Sequence, residues 1–309
     1  MANPHLIIPA GTQVVVRRAV TTGAGAPVCP AGAVGTVTAA PTDPTHAYRV
    51  RLPSGAEVSL RRDELGIRKH VQAGPVGDPG GVLRERGLYE HVVYRCVVGS
   101  RAYGLDGEAS DVDVRGVYLP PAEAHWSLYG VPEQLESPET EEVYWEAQKF
   151  VVLALKANPN ILECLYTPLV ERVEPVTGEL LRERGRFLSK VVYQTYNGYV
   201  MSQFRRLEAD FRADGAPRWK HAMHLVRLLI AGVTILREGH VPVRVETHRD
   251  ALLCIKRGEV PWPEVDAWRL SLHREFDAAY ASTKLPERPD YDWANDWLVR
   301  ARRSVVGSA

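Results

Sequence analysis

Cysteine is scarce in this sequence, and its four residues stand too far apart to suggest a shared metal ion or a disulfide. Cys29, Cys96, Cys164 and Cys254 include no pair at the short spacing that zinc sites use. Cys96 and Cys164 lie inside apolar runs, so we expect them to be small buried hydrophobic residues. The cysteine pattern therefore argues against a structural zinc and against a disulfide framework.

Long hydrophobic runs and an excess of one charge are also missing. No run approaches the ~18 apolar residues that a membrane span requires, and the first eleven residues lack the features of a signal peptide. The 38 basic and 38 acidic residues cancel to a net charge of zero. The chain thus has no overall cationic coat for grasping nucleic acid, although a local basic groove is compatible with this balance. We expect a cytoplasmic protein with no membrane contact.

The N-terminal part of the chain is rich in valine and glycine and reads as short strands. The whole chain has 309 residues, 45% of them hydrophobic, which suits two or three domains. Runs at 12–18, 35–40, 48–52 and 56–60 alternate with the period of two that strands show, with turn clusters between them. Closure would remove the exposed edges of such strands, so residues 1–72 predict a small β-barrel of the SH3-like kind. Nucleic-acid binding and a packing or protein-docking role are both compatible with such a barrel.

The remainder divides into a mixed part and a helical part. After a Gly/Pro-rich linker at 70–81, the apolar run at 92–98 predicts a buried strand, and 111–119 predicts a second strand. Residues 143–157 show a helical period. Beyond Leu180, the stretches at 196–211, 220–239 and 263–284 predict helices, the second ending at Gly239. The fold class expected is α/β (α+β): a core with a short mixed sheet at 82–172 and a helical domain at 173–309.

The chemistry is concentrated where the first of these strands ends. Gly99 and Ser100 follow the apolar run, and glycine lets backbone N–H groups approach a ligand closely, which suits phosphate. Asp111 and Asp113 are two residues apart, so on a strand their carboxylates share one face while Val112 and Val114 point into the core. Two adjacent carboxylates repel each other unless a cation lies between them, and hard oxygen ligands suit Mg²⁺.

An apolar residue, Gly-Ser, about ten residues and then Asp-apolar-Asp-apolar resembles the signature of the DNA polymerase β-like nucleotidyltransferase superfamily. More narrowly, GSRAYGL, SDVDVRGVYLP, QKF, ANPNILECLYTP and KHAMHLVRLL resemble the predicted nucleotidyltransferases associated with bacterial RNA ligases. The resemblance covers roughly residues 92–257 and leaves out the N-terminal barrel.

This resemblance implies roles for individual residues. Gly99 and Ser100 would hold the triphosphate of an NTP, and Asp111 and Asp113 would bind Mg²⁺ or Mn²⁺. A third carboxylate normally completes the metal site, and alignment on QKF places Glu141 where the family has aspartate. Glu142 and Glu146 are competing candidates.

Four basic residues are further candidates for nucleotide binding. Lys220, His224 and Arg227 stand at i, i+4 and i+7 on one helical stripe, which either faces the β- and γ-phosphates or is a solvated edge. Arg115 follows the aspartates on their own face, so it either pairs with them or touches phosphate. Glu163 is either a buried paired acid or a substrate contact.

The activity that the resemblance implies is transfer of NMP from an NTP to a hydroxyl, with an RNA end as acceptor in repair or tailing and an RNA ligase as a functional associate. Two other classes of function remain open. The same site could nucleotidylate a protein side chain, or the chain could be a decayed, non-catalytic module that binds nucleotide or RNA. A cationic channel leading to Asp111 would favour nucleic acid, whereas an uncharged rim would favour protein.

Overall fold

The computed structural model describes residues 7–21, 27–41, 46–69, 87–107, 110–137 and 140–307. The chain forms two compact units, one up to residue 79 and one from residue 80 onward. The predicted linker at 70–81 lies outside the described residues. Of residues 82–91 the structure describes those from 87 onward, where a single 3₁₀ turn spans Leu88–His91.

The first unit is built on antiparallel strands. They are β1 (Gln13–Val16), β2 (Val20–Thr21), β3 (Pro27–Cys29), β4 (Val34–Ala39), β5 (Tyr48–Arg51), β6 (Glu57–Leu60) and β7 (Leu65–Ile67). Five of them form one sheet in the order β6-β5-β4-β1-β7, and β2 pairs with β3. The four predicted strands are confirmed to within two residues at either end, and β7 was not predicted.

Alternation of side chains builds the core of this unit. Val14 and Val16 of β1 and Val50 of β5 are buried, whereas Gln13, Arg49 and Arg51 on the same strands are exposed. This pattern is expected of a sheet that packs on one face. Among the described residues no pairing joins the outer strands β6 and β7 into a closed barrel, so the SH3-like barrel stays a prediction.

The second unit contains a mixed sheet of five strands. They are β8 (Val92–Val97), β9 (Val114–Tyr118), β10 (Gln134–Ser137), β11 (Glu142–Glu146) and β12 (Val170–Val173), in the order β10-β11-β9-β8-β12. β11 runs parallel to β9, and the other pairs are antiparallel. Parallel neighbours need a crossover connection, and here β10 lies within the connection between β9 and β11.

Ten helices of the described chain belong to this unit. They are α1 (Gly99–Tyr103), α2 (Ala122–Trp126), α3 (Ala147–Leu155), α4 (Pro159–Tyr166), α5 (Pro175–Arg182), α6 (Val191–Asp214), α7 (Trp219–Glu238), α8 (Arg249–Arg257), α9 (Trp262–Ser282) and α10 (Tyr291–Ser304). α7 ends at Gly239, whose φ of +65° closes the helix as expected. α4 begins as predicted, with Asn158 accepting from the backbone N–H of Asn160 and Pro159 at the first helical position.

α7 is the central helix of this unit, and most of its side chains are buried between α6, α8 and α9. One hydrophobic cluster runs from Tyr94 in β8 to Ala301 in α10, so the sheet and the helices share a core. A predicted division near residue 172 is therefore not marked by separate cores. No helix in the described ranges has the length and apolar character needed to cross a membrane.

Two sequence predictions near the sheet were wrong. The helix predicted over 143–157 begins only at Ala147, because Val143, Tyr144 and Trp145 pair with β9 as strand residues. β-branched and aromatic side chains suit a pleated surface, and tertiary pairing overrode their weak helical period. The strand predicted at 111–119 begins at Val114, so both aspartates precede it, and Val112 is 38% exposed rather than buried.

Candidate active site

A cavity of about 510 Å³ opens where β8 ends and β9 begins. The turn into α1, the segment before β9, one face of β11, and the helices α4, α7 and α8 form its walls. Its lining residues are Val98, Gly99, Ser100, Tyr103, Leu105, Ser110, Asp111, Asp113, Arg115, Gln134, Val143, Trp145, Asn160, Glu163, Lys220, Met223, His224 and Lys256. The Gly-Ser turn and both predicted aspartates thus meet in one cavity, although their contacts with substrate remain predictions.

Gly99 and Asp113 are packed directly against each other. Gly99 has a φ of +69°, a backbone conformation that favours glycine. A Cβ at this position would stand 2.2 Å from Oδ2 of Asp113. The backbone N–H of Val98 also donates to the carbonyl of Asp113 at 2.9 Å. The glycine turn therefore fixes where the Asp113 carboxylate lies.

Gly99→Ala is expected to reduce the nucleotide transfer that the family resemblance implies more than it reduces stability. The added methyl group must push the Asp113 carboxylate away from its place, and the left-handed φ adds roughly 1 kcal/mol of backbone strain. We expect a transfer rate at least ~10-fold lower, since small misplacements of reacting groups cost about 10²-fold. Enzyme turnover and thermal unfolding measured side by side check this. Gly215→Ala is the matched control, because Gly215 has nearly the same φ of +70° and an added Cβ there meets nothing within 4 Å.

Arg115 is held beside Asp113. Its Nη2 lies 3.1 Å from Oδ1 of Asp113, and its Nη1 donates to the carbonyls of Val114 at 2.8 Å and Glu141 at 2.7 Å. Of the two roles considered for Arg115, the structure shows the pairing with an aspartate. Because Arg115 also lines the cavity, its charge remains close to any anion bound there.

None of the three candidate glutamates presents its side chain to the cavity. Glu141 stands one residue before β11, exposed, with a φ of +53°. Glu142 pairs with Arg95 at 2.9 Å and accepts from the hydroxyl of Tyr144 at 2.7 Å. Glu146 is buried, lies 2.8 Å from Arg302 and caps α3 through the N–H of Gln148. The cavity-facing residues of β11 are Val143 and Trp145.

The residues present fit a Mg²⁺ or Mn²⁺ ion that is shared with a phosphorylated ligand. No cluster of three or more potential His, Cys, Asp or Glu ligands occurs within the described ranges. Mg²⁺, however, commonly uses one or two carboxylates together with substrate phosphates and water, rather than an all-protein cage. Asp111 and Asp113, both on the cavity wall, supply those two carboxylates.

Three basic residues, Lys220, His224 and Lys256, line another part of the same cavity. Lys220 is exposed on the first turn of α7, and His224 follows one helical turn later. Lys256 comes from α8 and donates to the carbonyl of Leu105 at 2.9 Å. Burial, reinforced by Arg227, Lys220, His221 and Lys256, lowers the pKa of His224 to about 3. The two lysines therefore carry the positive charge of this part of the cavity, and His224 is neutral near pH 7.

The depressed pKa of His224 predicts a pH-dependent loss of stability. Above about pH 6.5, His224 is neutral in the folded and unfolded states alike. As pH falls below 6.5, the unfolded state takes up a proton that the folded state rejects, so stability decreases until the folded pKa is reached. By pH 5 this costs up to about 2 kcal/mol. Unfolding measured at pH 7 and pH 5 should show a smaller decrease for His224→Gln, and equal decreases would contradict the prediction.

Arg227 does not reach the cavity, which corrects its predicted role as a phosphate ligand. Its guanidinium is buried, donates to Oε1 of Glu163 at 2.6 Å and stacks 3.8 Å from the ring centroid of Tyr103. The Tyr103 hydroxyl donates to the other oxygen of Glu163 at 2.5 Å. Since these residues belong to α7, α4 and α1, the buried cluster connects three walls of the cavity.

Several cavity residues were missed by sequence reasoning. Lys256, Asn160, Gln134 and Trp145 come from four separate elements. Asn160 lies inside the segment ANPNILECLYTP that the resemblance already highlighted. Lys256 stands in the last turn of a helix, where a basic residue is ordinary, so the sequence carries no distinctive signal for it.

Comparison with known proteins gives the context for this cavity. The profile of the RNA repair pathway DNA polymerase beta family matches residues 75–300, which include every residue lining the cavity. The chain belongs to this family. The N-terminal sheet lies outside the matched residues, and the polymerase β-like resemblance first suggested by the Gly-Ser and Asp-x-Asp motifs is confirmed.

A curated relative is similar over part of the chain. "Uncharacterized protein YcgL" of Bacillus subtilis (strain 168) is 29% identical over 154 residues, which amount to 49% of this chain and 58% of the relative. The chain therefore matches little more than half of the relative's length. Family membership supports a polymerase β-like nucleotidyltransferase role in an RNA repair pathway.

Proposed function

We propose that this protein is a metal-dependent nucleotidyltransferase that transfers NMP from an NTP to a hydroxyl group at an RNA end. The observation that carries the proposal is the composition of one cavity. Two aspartates and a glycine-serine turn contribute to its lining, and Lys220 and Lys256 supply positive charge to the same lining. This combination suits a polyanion that brings divalent ions with it, which describes a nucleoside triphosphate.

The chain's own residues divide the task of binding. Asp111 and Asp113 would hold the ions, and Lys220 and Lys256 would face the phosphates. Mg²⁺ or Mn²⁺, when bound, would offset the phosphate charge and stabilise the entering and leaving oxygens. Trp145 and Asn160 offer a planar apolar surface and a hydrogen-bonding group to the rest of the nucleotide.

In the proposed reaction the acceptor oxygen forms a bond to the α-phosphorus, and the bond from that phosphorus to the β-bridging oxygen breaks. Pyrophosphate leaves with the electron pair, and the hydroxyl proton passes to a carboxylate at the cavity mouth. Glu141 remains the proposed third carboxylate. Its backbone carbonyl accepts from Arg115, which also pairs with Asp113, although the Glu141 side chain does not line the cavity.

The test is incubation of the full chain with each labelled NTP, Mg²⁺ or Mn²⁺, and a panel of RNA ends. Label is expected in RNA and absent when Asp111 and Asp113 are both replaced by alanine. Label transfer that survives the double substitution would remove the assigned site. Label on a protein and not on RNA would show that the acceptor is a protein side chain. NTP binding without transfer would identify a non-catalytic module.

A further inference from the structure

Three arginines lie beside Gly104 or Ser110, two described residues between the glycine-serine turn and the aspartates. Arg101 donates to the carbonyl of Ser110 at 3.1 Å, and Arg249 donates to the carbonyl of Gly104 at 2.8 Å. Arg244 packs beside the same glycine, where an added Cβ would stand 3.8 Å from its Nε. We call Arg101, Arg244 and Arg249 the arginine collar.

Within the described part of the chain, the contacts of the collar leave its charge largely uncompensated. Two of its members bind neutral carbonyl oxygens, which accept hydrogen bonds without cancelling the guanidinium charge. Arg244 lies 3.5 Å from Glu246 and Arg249 lies 3.6 Å from Asp250, but both acids are at least 79% exposed. Exposed pairs at such distances contribute little. The collar is therefore a solvent-facing group of three cations, two of which are held in place by backbone carbonyls.

The position of the collar relates it to the cavity. Lys256 donates to the carbonyl of Leu105, in the same connecting segment, and also lines the cavity. The three arginines do not line the cavity. Positive charge is thus present in the cavity lining at Lys256 and, outside that lining, at the three arginines.

We propose that the arginine collar binds the phosphodiester backbone of the RNA strand whose end enters the cavity. This inference rests on the proposed function and names the site that holds its acceptor. Guanidinium groups match phosphate oxygens with paired hydrogen bonds, and an RNA backbone supplies a phosphate at every nucleotide. A row of fixed cations outside the reaction cavity fits this repeating charge.

The test is the affinity of the full chain for an unstructured, dye-labelled RNA oligonucleotide, measured by fluorescence anisotropy without NTP over a range of salt concentrations. Arg101→Gln, Arg244→Gln and Arg249→Gln are combined in one variant, since glutamine can still donate to a carbonyl but carries no charge. We expect a Kd at least ~10-fold higher at low salt and a salt slope lower by about 2, at roughly 0.7 per single-strand phosphate contact.

Two matched variants make the result specific. Replacing the same three arginines with lysine keeps the charge but loses the paired hydrogen bonds, so the salt slope should stay near that of wild type and the affinity should lie between those of wild type and the glutamine variant. Arg288→Gln removes an exposed arginine from the loop between α9 and α10, and should leave Kd unchanged. Three outcomes would each overturn the proposal. The Kd and salt slope could be equal in wild type and the glutamine variant, or the lysine variant could bind as weakly as the glutamine variant. The collar could also bind an acidic peptide but no RNA. RNA binding is measured without turnover, so failure of nucleotide transfer is a separate result.

Discussion

Asp111→Asn and Asp113→Asn, made singly, are each expected to lower nucleotide transfer by at least ~10³-fold. A divalent ion contributes several kcal/mol of transition-state stabilisation, and each 1.4 kcal/mol is a factor of ten. Asparagine keeps the shape of the side chain but removes the charge that makes it a strong ligand for Mg²⁺. Single-turnover rates at saturating NTP and Mg²⁺ are the appropriate measurement.

Asp106→Asn is the matched control for these variants. Asp106 lies in the same connecting segment, is exposed and does not line the cavity, so its replacement should change the rate by less than a few-fold. Thermal unfolding of all three variants should stay near that of wild type, since the replaced side chains are at the surface or its edge. An Asp113→Asn variant that transfers nucleotide at the wild-type rate would rule out an ion site formed by Asp111 and Asp113.

The local part of the candidate site was predictable from the sequence because its signal is local. An apolar run followed by Gly99-Ser100 predicts a buried strand and a turn, and both are present. Asp111 and Asp113 were identified as a pair, although they precede the strand. Their arrangement depends on the hydrogen bond from Val98 to Asp113, a contact that no periodicity reveals.

The helical contribution was only partly predictable. Lys220, His224 and Arg227 share one stripe of α7, as their spacing indicated. A helix rises about 1.5 Å per residue, however, so Arg227 lies roughly 10 Å from Lys220 along the axis. That distance takes Arg227 beneath the cavity, where it pairs with Glu163. The spacing of residues predicts which side of a helix they share, but it does not predict how far along the helix axis the cavity extends.

The rest of the site depends on pairing over long sequence distances. Lys256 contacts Leu105 across 151 positions of the chain, and β11 gains its strand structure from pairing with β9. Neither relation leaves a short-range pattern. The open sheet order of the first unit is likewise a matter of which strand edges meet, which alternating residues alone do not determine.

Arg227→Met is expected to destabilise the second unit by about 3–5 kcal/mol, because it leaves the Glu163 carboxylate buried without its cation. Both side chains of the pair are at most 7% exposed, so water cannot replace the missing partner. With about 2–4 °C per kcal/mol for a unit of this size, the unfolding midpoint should fall by roughly 6–20 °C. Differential scanning calorimetry measures this directly.

The double variant Glu163→Leu with Arg227→Met separates the ion pair from the space it fills. Removing both charges together leaves no uncompensated ion, and hydrophobic replacement of a buried pair is often close to neutral. The double variant should therefore regain most of the stability that Arg227→Met loses. It should remain about 1–3 kcal/mol less stable than wild type, because the Tyr103 hydroxyl is left without its acceptor. A double variant less stable than Arg227→Met would contradict the assignment.

The same double variant tests what the buried cluster does for the cavity. Tyr103, Glu163 and Arg227 connect α1, α4 and α7, and Tyr103 and Glu163 also line the cavity. If Arg227 matters because it holds the cavity walls in position, the double variant should fold well and still bind NTP. Its transfer rate should be lower, because the ion pair no longer connects the glycine-serine turn to α7. Full activity in the double variant would show that apolar packing holds these walls as well as the ion pair does.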